Sequence, residues 1–417
     1  MAKQNSVMKS SATIPEGWEE TSLKEVAETI SQTYSFSDKK EIIFINTGDI
    51  QSGNFLHKNY SKVDTLPGQA KKMIKRNDIL FSEIRPKNQR YAFVNFANTE
   101  DYVVSTKLMV IRAKNNILPE YLYRILINKN TLDEFQQLAE SRSGTFPQIT
   151  FDSIKEHPIL LPSLSEQRAI AKILSDLDEK IELNNQMNKT LESIAQAIFK
   201  EWFVDFRFPG YKKTKFVNGL PDGWRMSDFG EIAKIQPGFA FKSSDFTTQG
   251  YKIIKIANIQ NGIVDISQTD YVSEDVFGNT DKRFHLVSGD VIIAMTGANI
   301  GKIGIIPKIE KSLLLNQRVG KLVSKYHLWA YLVLTGPVVQ SLIEGISSSS
   351  SAQPNISNTD IEKTKVVIPN ETILEMFEKN LNSIYKNIIE NLATQSILSQ
   401  IRDSLLPKLM SGKIRVK

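Results

Sequence analysis

Residues 163–203 read SLSEQRAIAKILSDLDEKIELNNQMNKTLESIAQAIFKEWF, a run without glycine or proline. Apolar and amide side chains recur in it in alternating steps of four and three residues, apart from a last step of seven: Ile170, Leu174, Leu177, Ile181, Asn184, Asn188, Leu191 and Ile198. This spacing is a heptad seam, which is typical of a long helix packed against another helix. The stretch therefore predicts one long helix that needs a partner.

A second segment carries the same seam 207 residues later. Residues 371–406 also lack glycine, and their seam is Phe377, Leu381, Ile384, Ile388, Asn391, Gln395, Leu398 and Leu405. Because the polar interruption recurs as well, the obvious partner of each helix is the other one. We expect antiparallel packing in which Asn184 lies close to Asn391, since a polar layer fixes register. A parallel pair stays open, because residues 206–369 could supply the return connection.

The repeat extends beyond the helices. Pro15-Glu-Gly-Trp18 returns as Pro221-Asp-Gly-Trp224, and Pro147-Gln-Ile149 returns as Pro354-Asn-Ile356. The parts that precede the helices are rich in glycine, β-branched residues and short alternating runs, so we predict two similar α+β domains with twisted, mostly antiparallel sheets. The two tryptophans are expected to be core anchors. The predicted division is a flexible N-terminal tail, two globular domains and two long helical segments: 1–13, 14–162, 163–205, 206–369 and 370–417.

The composition of the chain argues against some functions and permits others. The 417 residues include no cysteine, and the four histidines share no ligand spacing, so no metal site is predicted. A net charge of +6 permits nucleic-acid binding. Residues 1–13 contain no apolar signal core, and the longest apolar stretch, 328–339, is too short to span a bilayer. We therefore expect a cytoplasmic protein without a membrane segment.

Patterns typical of catalysis are missing from the sequence. The segment Gly297-Ala-Asn-Ile-Gly-Lys302 is one residue shorter than a phosphate-binding P-loop, and Ile303 stands where a magnesium-binding Ser or Thr is needed. No adenine-methylase, dinucleotide-binding or nuclease pattern is present. We therefore predict no catalytic residue and no bound cofactor.

With these features together, the chain resembles the specificity (S) subunits of type I restriction–modification systems. The resemblance rests on the order globular–helix–globular–helix, the helix start at residues 161–171, the tail at residues 404–413 and the two Pro-x-Gly-Trp openings. It implies two target recognition domains, each reading one half of a bipartite site in double-stranded DNA, separated by a pair of long antiparallel coiled-coil helices with pseudo-two-fold symmetry. The helices would set the unread spacer and dock two methyltransferase (M) subunits.

The same resemblance implies that chemistry belongs to the partners. S-adenosylmethionine, ATP and Mg would bind to the M subunits, which methylate adenine, and to the restriction (R) subunits, whereas the S subunit is non-catalytic. A non-catalytic two-headed protein-binding scaffold is the alternative function. A fused methylase–nuclease is a third, against which the missing motifs speak.

Candidate DNA-binding residues follow from side-chain chemistry, because Arg, Lys, Asn and Gln read base edges while Lys, Arg, Ser and Thr also contact phosphates. The loop 85–90 is predicted to bind DNA, with a solvated turn as the alternative. Two loops that recur near residues 141–145 and 347–351 are predicted to follow phosphates or to be plain linkers. The candidates are Lys71, Lys72, Arg85, Lys87, Asn88, Gln89, Arg90, Lys107, Arg142, Ser143, Thr145, Lys242, Thr296, Asn299, Lys302, Asn316, Gln317, Arg318, Ser348, Ser349 and Ser350.

Overall fold

The computed structural model describes residues 14–37, 39–141, 147–260, 262–348 and 354–416. The chain forms two compact units: Met1–Leu177 with Ile401–Lys417, and Asp178–Gln400. We call these the first and the second unit. Both boundaries between the units fall inside long helices. The predicted tail 1–13 lies outside the described residues.

The first unit is built on two four-stranded sheets, ordered β6-β3-β10-β7 and β2-β11-β8-β9. In both sheets neighbouring strands are antiparallel, except that β3 and β10 run parallel. In the described part of this unit the strands are β1 (Glu19–Ser22), β2 (Ala27–Ile30), β3 (Glu41–Ile45), β4 (Ile50–Gln51), β5 (Asn54–Phe55), β6 (Tyr60–Lys62), β7 (Ala70–Lys72), β8 (Ile79–Ser82), β9 (Tyr91–Phe93), β10 (Tyr102–Ser105), β11 (Leu108–Ala113) and β12 (Pro158–Leu161).

The apolar strand β8 is covered on both faces. Ile79 and Phe81 pack against the helices, whereas Leu80 packs against the other sheet, as the alternation of side chains along a strand requires. The helices of this part are α1 (Leu23–Val26), α2 (Pro119–Leu126), α3 (Lys129–Ser141) and α4 (Phe151–Ile154), followed by the long α5 (Leu164–Phe203).

The second unit repeats this arrangement. Its sheets contain the orders β21-β18-β25-β22 and β16-β26-β23-β24, which match those of the first unit and are extended by β17 and by β20-β19. The described strands are β13 (Phe216–Val217), β14 (Leu220–Pro221), β15 (Arg225–Asp228), β16 (Ala233–Pro237), β17 (Phe246–Thr247), β18 (Tyr251–Ile254), β19 (Ile259–Gln260), β20 (Gly262–Val264), β21 (Asp270–Val272), β22 (His285–Leu286), β23 (Val291–Ala294), β24 (Ile303–Ile305), β25 (Leu313–Leu315), β26 (Val319–Ser324) and β27 (Lys365–Ile368). The predicted fold class, two similar α+β domains each followed by a long helix, is confirmed.

The described part of the second unit also contains four short helices and one long helix. They are α6 (Glu274–Asn279), α7 (His327–Leu334), α8 (Pro337–Ser348) and α9 (Asn358–Glu362), followed by the long α10 (Glu371–Met410). In the described residues no single helix is both long and apolar enough to cross a membrane. Within that part of the chain, α7 and α8 taken together, with a bend of 44° between them, meet the criterion by length and composition alone.

Helices α5 and α10 are antiparallel where they pack in the second unit. The ring centroids of Phe377 and Phe203 are 4.7 Å apart, and Asn391 bonds to Asn188. Residue numbers therefore increase along one helix in the direction in which they decrease along the other. In the first unit the ends of the same helices share a core. The predicted seam residues are all buried or half-buried: Ile170, Leu174, Leu177, Ile181, Asn184, Leu191, Phe377, Leu381, Ile384, Ile388, Asn391 and Leu398.

The polar layer pairs Asn391 with Asn188, which lies one helical turn beyond Asn184 on α5. Asn391 Nδ2 donates to Asn188 Oδ1 at 2.9 Å, and the expected proximity of Asn184 and Asn391 stays a prediction. Phe377 packs against Trp202 and Phe203, and this aromatic contact fixes the register further toward the end of α5. Asn184 is nevertheless 3% exposed, and in the described residues its Nδ2 has no hydrogen-bond partner.

Both tryptophans of the repeated openings are buried, which confirms their expected role as core anchors. Trp18 Nε1 donates to Glu166 Oε2 at 3.0 Å, and Arg415 forms two hydrogen bonds with the same carboxylate. Trp224 instead stacks on Phe208, with ring centroids 4.9 Å apart. The segment that follows each long helix therefore closes onto one of the tryptophans.

Candidate nucleic-acid interface

In the first unit, polar loops meet at the edge where β8 ends and β11 begins. Glu83 N donates to Lys107 O at 3.1 Å, so the turn between β10 and β11 lies beside the loop that follows β8. Thr106 N donates to Gln69 O at 2.9 Å, which adds the residue preceding β7 to the same edge. Candidate residues from separate strands are therefore neighbours in space.

The loop after β8 has a well-supported backbone. A 3₁₀ turn spans Pro86–Asn88, and the buried side chain of Gln136 on α3 accepts a hydrogen bond from Lys87 N at 3.1 Å. Arg85 N donates to Pro147 O at 3.2 Å. The exposed side chains of Arg85, Lys87, Asn88 and Gln89 therefore project from a fixed backbone.

Three residues of this region occupy the left-handed region of φ without being glycine. They are Ser52, Arg85 and Gln89, with φ of 48°, 46° and 53°. Each such residue costs on the order of 1–3 kcal/mol, and strained residues of this kind cluster at functional sites. Ser52 lies in the turn between β4 and β5, and its Oγ donates to Gln89 Oε1 at 2.9 Å.

Gln51 Nε2 also donates a hydrogen bond to this loop, to Asn88 O at 2.8 Å. Gln51 and Ser52 are not among the residues predicted from sequence, and their contacts with the loop after β8 bring them to the same edge. A polar turn containing glycine between two short strands is the signal that the sequence offers for them.

The candidate lysines differ in what they can reach. Lys71 is exposed, whereas Lys72 is half-buried and its Nζ donates to Leu108 O at 2.8 Å. Burial lowers the pKa of the Lys72 ammonium, and the neighbouring Glu83 carboxylate raises it in part. Lys107 is exposed, with its Nζ 4.0 Å from Glu83 Oε2. Of the pair at 71 and 72, Lys71 is therefore the one that extends into solvent.

Two further side chains at this edge have different surroundings. Lys87 Nζ lies 3.6 Å from Asp133 Oδ1, and both side chains are largely exposed. Arg90 is half-buried and immediately precedes β9. The Arg85 guanidinium forms no hydrogen bond or ion pair with the part of the chain that the structure describes.

The second unit has the same edge with different side chains. Met295 N donates to Arg318 O at 3.0 Å, and Gly297 N donates to Pro354 O at 3.0 Å, which repeats the hydrogen bonds of Glu83 and Arg85. Asn299 accepts from Lys302 Nζ at 2.8 Å and donates weakly to Ile256 O at 3.4 Å. The two loops therefore share a backbone and differ in chemistry.

The turn at residues 316–318 adds amide and guanidinium groups to this edge. Gln317 and Arg318 are exposed, Asn316 and Thr296 are half-buried. Phe239, which sequence reasoning missed, is exposed beside Asn316, and its backbone N–H donates to Leu315 O at 2.9 Å.

The remaining candidates have less support from contacts. Lys242 and Ser348 are exposed. Lys242 lies three residues beyond Phe239, and Ser348 ends α8. The candidates Arg142, Ser143, Thr145, Ser349 and Ser350 lie outside the described residues.

Both edges carry donors and acceptors suited to base edges and phosphates. Guanidinium and amide groups can each make two parallel hydrogen bonds to a purine, while lysine contacts phosphates as a point charge. Among the described residues no group of three or more acidic or histidine side chains could hold a metal ion.

Comparison with known proteins agrees with this chemistry. The family model for the type I restriction modification DNA specificity domain matches residues 15–193 and again residues 221–394. The HindI specificity subunit of Haemophilus influenzae, a type I restriction enzyme component, is 32% identical over 95% of this chain and 99% of its own length. The MjaIX specificity subunit of Methanocaldococcus jannaschii is 27% identical over 73% of this chain and 71% of its own.

A solved structure shows the same fold. The S subunit of a type I restriction–modification system from M. genitalium covers 96% of this chain and 98% of its own, with a TM-score of 0.51 and 17% identity. The family model matches both halves of the repeat, and the Haemophilus influenzae relative aligns along almost the entire chain. The protein therefore belongs to the family of type I restriction–modification DNA specificity subunits.

Proposed function

We propose that this chain is the non-catalytic DNA-reading subunit of a type I restriction–modification complex, in which each unit reads one half of a bipartite site in double-stranded DNA. The observation that carries the proposal is the repeated sheet edge with unlike side chains. Arg85 and Gln89 stand in the first unit where Gly297 and Gly301 stand in the second. A shared backbone with different base-reading groups supports two half-sites of different sequence.

The long helices supply a second part of the proposal. Each has 40 residues, and at 1.5 Å per residue a helix of that length extends about 60 Å. We propose that helix length sets the unread spacer between the half-sites. Duplex DNA rises about 3.4 Å per base pair, so a change of one helical turn in length corresponds to about one to two base pairs.

An exposed apolar strip on α5 supports a proposal about partner subunits. Leu183, Met187 and Ile194 are 48%, 43% and 43% exposed, about a quarter turn around the helix from the seam. Surface apolar groups aligned in this way favour a protein partner. We propose that two M subunits dock here, that R subunits join them, and that S-adenosylmethionine, ATP and Mg bind on those subunits, in the cytoplasm.

Methylome sequencing of cells that express this chain with its M subunit tests the proposal. The expected result is one bipartite motif with a methylated adenine in each half and a fixed unread gap. Methylation without a motif would overturn the reading role, as would DNA affinity that does not change with salt, because phosphate contacts make binding fall steeply as salt rises. That second result favours the protein-binding scaffold.

Shortening both helices tests the spacer. Removal of four residues from each shortens it by about 6 Å and should change the gap by about one to two base pairs. An unchanged gap in an active complex would show that helix length does not set the spacer.

A further inference from the structure

The loop after β8 has two residues in a left-handed backbone conformation that their residue types rarely adopt. Arg85 and Gln89 have φ of 46° and 53°, in the left-handed region. Asn and Asp occupy that region far more often than other non-glycine residues, because their short polar side chains bond locally. Long arginine and glutamine side chains gain no such compensation, so local backbone chemistry does not account for them.

The corresponding loop of the second unit shows what the backbone itself requires. Gly297 and Gly301 have φ of 75° and 78°, and Gly297 N bonds to Pro354 O as Arg85 N bonds to Pro147 O. The left-handed conformation therefore belongs to the loop, and glycine forms it without strain. The first unit retains two strained residues at positions where its own repeat uses glycine.

The side chains at these positions are available for binding. A Cβ added at Gly297 would meet no atom within 4 Å, so the position of Arg85 in the loop opens to free space. A Cβ added at Gly301 would lie 2.3 Å from Ile343 Cγ2, so the accessibility of Gln89 rests on its own exposure in the first unit. Arg85 is exposed and its guanidinium is unengaged within the described residues. Gln89 is exposed, and Ser52 Oγ holds its Oε1 at 2.9 Å, which fixes the orientation of the amide.

From these observations we propose that Arg85 and Gln89 are the base-reading residues of the first unit, and that Ser52 is a positioning residue for Gln89. This inference rests on the proposed function. Arg85 has the geometry for bidentate bonds to O6 and N7 of guanine, and Gln89 for bonds to N6 and N7 of adenine. The strain is retained because glycine at these positions would remove the reading groups.

Glycine substitution separates reading from structure, because it relieves the strain while it removes the side chain. The variants are Arg85→Gly and Gln89→Gly, with Asn77→Gly as the matched control. Asn77 has φ of 71° in the turn before β8, where the second unit has Gly289 with φ of 84°. All three should unfold at the same or a higher temperature than the parent chain.

Base reading is measured by determining the DNA motif that is methylated when each variant is co-expressed with the M subunit. Arg85→Gly and Gln89→Gly should each relax one base of one half-site by about 5- to 150-fold, the value of one bidentate contact, and should leave the other half-site unchanged. Asn77→Gly should retain the parent motif. Ser52→Ala should relax the same base as Gln89→Gly by a smaller factor.

If the parent chain gives no bipartite motif, the proposed function fails. If the parent motif appears and both glycine variants retain it, with or without weaker binding to every duplex, Arg85 and Gln89 do not read bases and the inference is overturned. Lower unfolding temperatures for both variants would also overturn it, since the side chains would then be structural.

Discussion

Arg415 donates two hydrogen bonds to the carboxylate of Glu166 within the first unit: Nε to Oε1 at 2.7 Å and Nη2 to Oε2 at 2.9 Å. The same guanidinium donates to Glu16 O at 2.9 Å, and Trp18 Nε1 donates to Glu166. A residue near the end of the chain therefore joins the opening motif to the first turn of α5. Arginine suits this place because its planar fork matches a carboxylate.

This contact predicts a pH dependence of stability. The Arg415 guanidinium lowers the pKa of Glu166, against the opposing effect of burial. The folded-state pKa therefore lies below the unfolded value of about 4.3, and the stabilisation is present above that pH and lost as pH falls through the folded pKa. Unfolding of the parent chain and of Arg415→Gln should differ at pH 7, and the difference should shrink below about pH 4. A difference that is constant down to pH 3 would contradict the pair.

A second prediction concerns the polar layer between α5 and α10. Asn184 is buried and its Nδ2 lacks a partner among the described residues, whereas Asn188 accepts from Asn391. Asn184→Leu should raise the free energy of unfolding by about 1 kcal/mol, because an unsatisfied buried amide is removed. Asn188→Leu should lower it by a similar amount, because Asn391 is left unpaired. Denaturant unfolding measures both, and changes of the same sign would be inconsistent with this polar layer.

The long helices could be predicted from sequence, but the hydrogen-bond partners across them could not. A four-and-three spacing of apolar residues follows directly from helix geometry. The contact of Phe377 with Phe203 depends on how large aromatic side chains fill space between two helices, and no periodicity encodes that. Spacing alone therefore does not show that Asn188 is the hydrogen-bond partner of Asn391.

The candidate site was predictable in its residue types and not in its geometry. The loop 85–90 was identified because it combines Arg, Lys, Asn and Gln. Ser52 was not, because its contact with Gln89 joins residues 37 positions apart. The left-handed backbone at Arg85 is also hidden in the sequence, since arginine gives no signal for that conformation.

A third prediction compares two glycines of the second unit. A Cβ at Gly301 would lie 2.3 Å from Ile343 Cγ2, while a Cβ at Gly297 would meet nothing within 4 Å. Gly297→Ala should cost about 1 kcal/mol, from the left-handed backbone alone. Gly301→Ala adds a clash with a buried side chain on α8 and should cost about 3 kcal/mol. The variant pair Gly301→Ala with Ile343→Val should recover part of the loss in thermal unfolding; equal costs for the two single variants would argue against this packing.

A fourth prediction uses one turn that both units share. Asp78 Oδ2 accepts from Lys75 N at 2.7 Å, as Asp290 Oδ2 accepts from Val287 N at 2.8 Å. The first carboxylate also bonds to Arg112, with distances of 2.7 and 2.8 Å. The cation nearest to the second is Lys321, whose Nζ is 3.7 Å from Oδ2.

Because the two carboxylates have different cations beside them, replacing each Asp by Asn should reduce stability by different amounts in the two units. Asp78→Asn leaves a half-buried guanidinium without its carboxylate and should cost about 3 kcal/mol. Burial raises the pKa of Asp290, so its charged form is already disfavoured and Asp290→Asn should cost about 1 kcal/mol. Denaturant unfolding of the two variants at pH 7 measures the difference. Equal costs would mean that the backbone turn dominates at both places and that the Arg112 pair adds little.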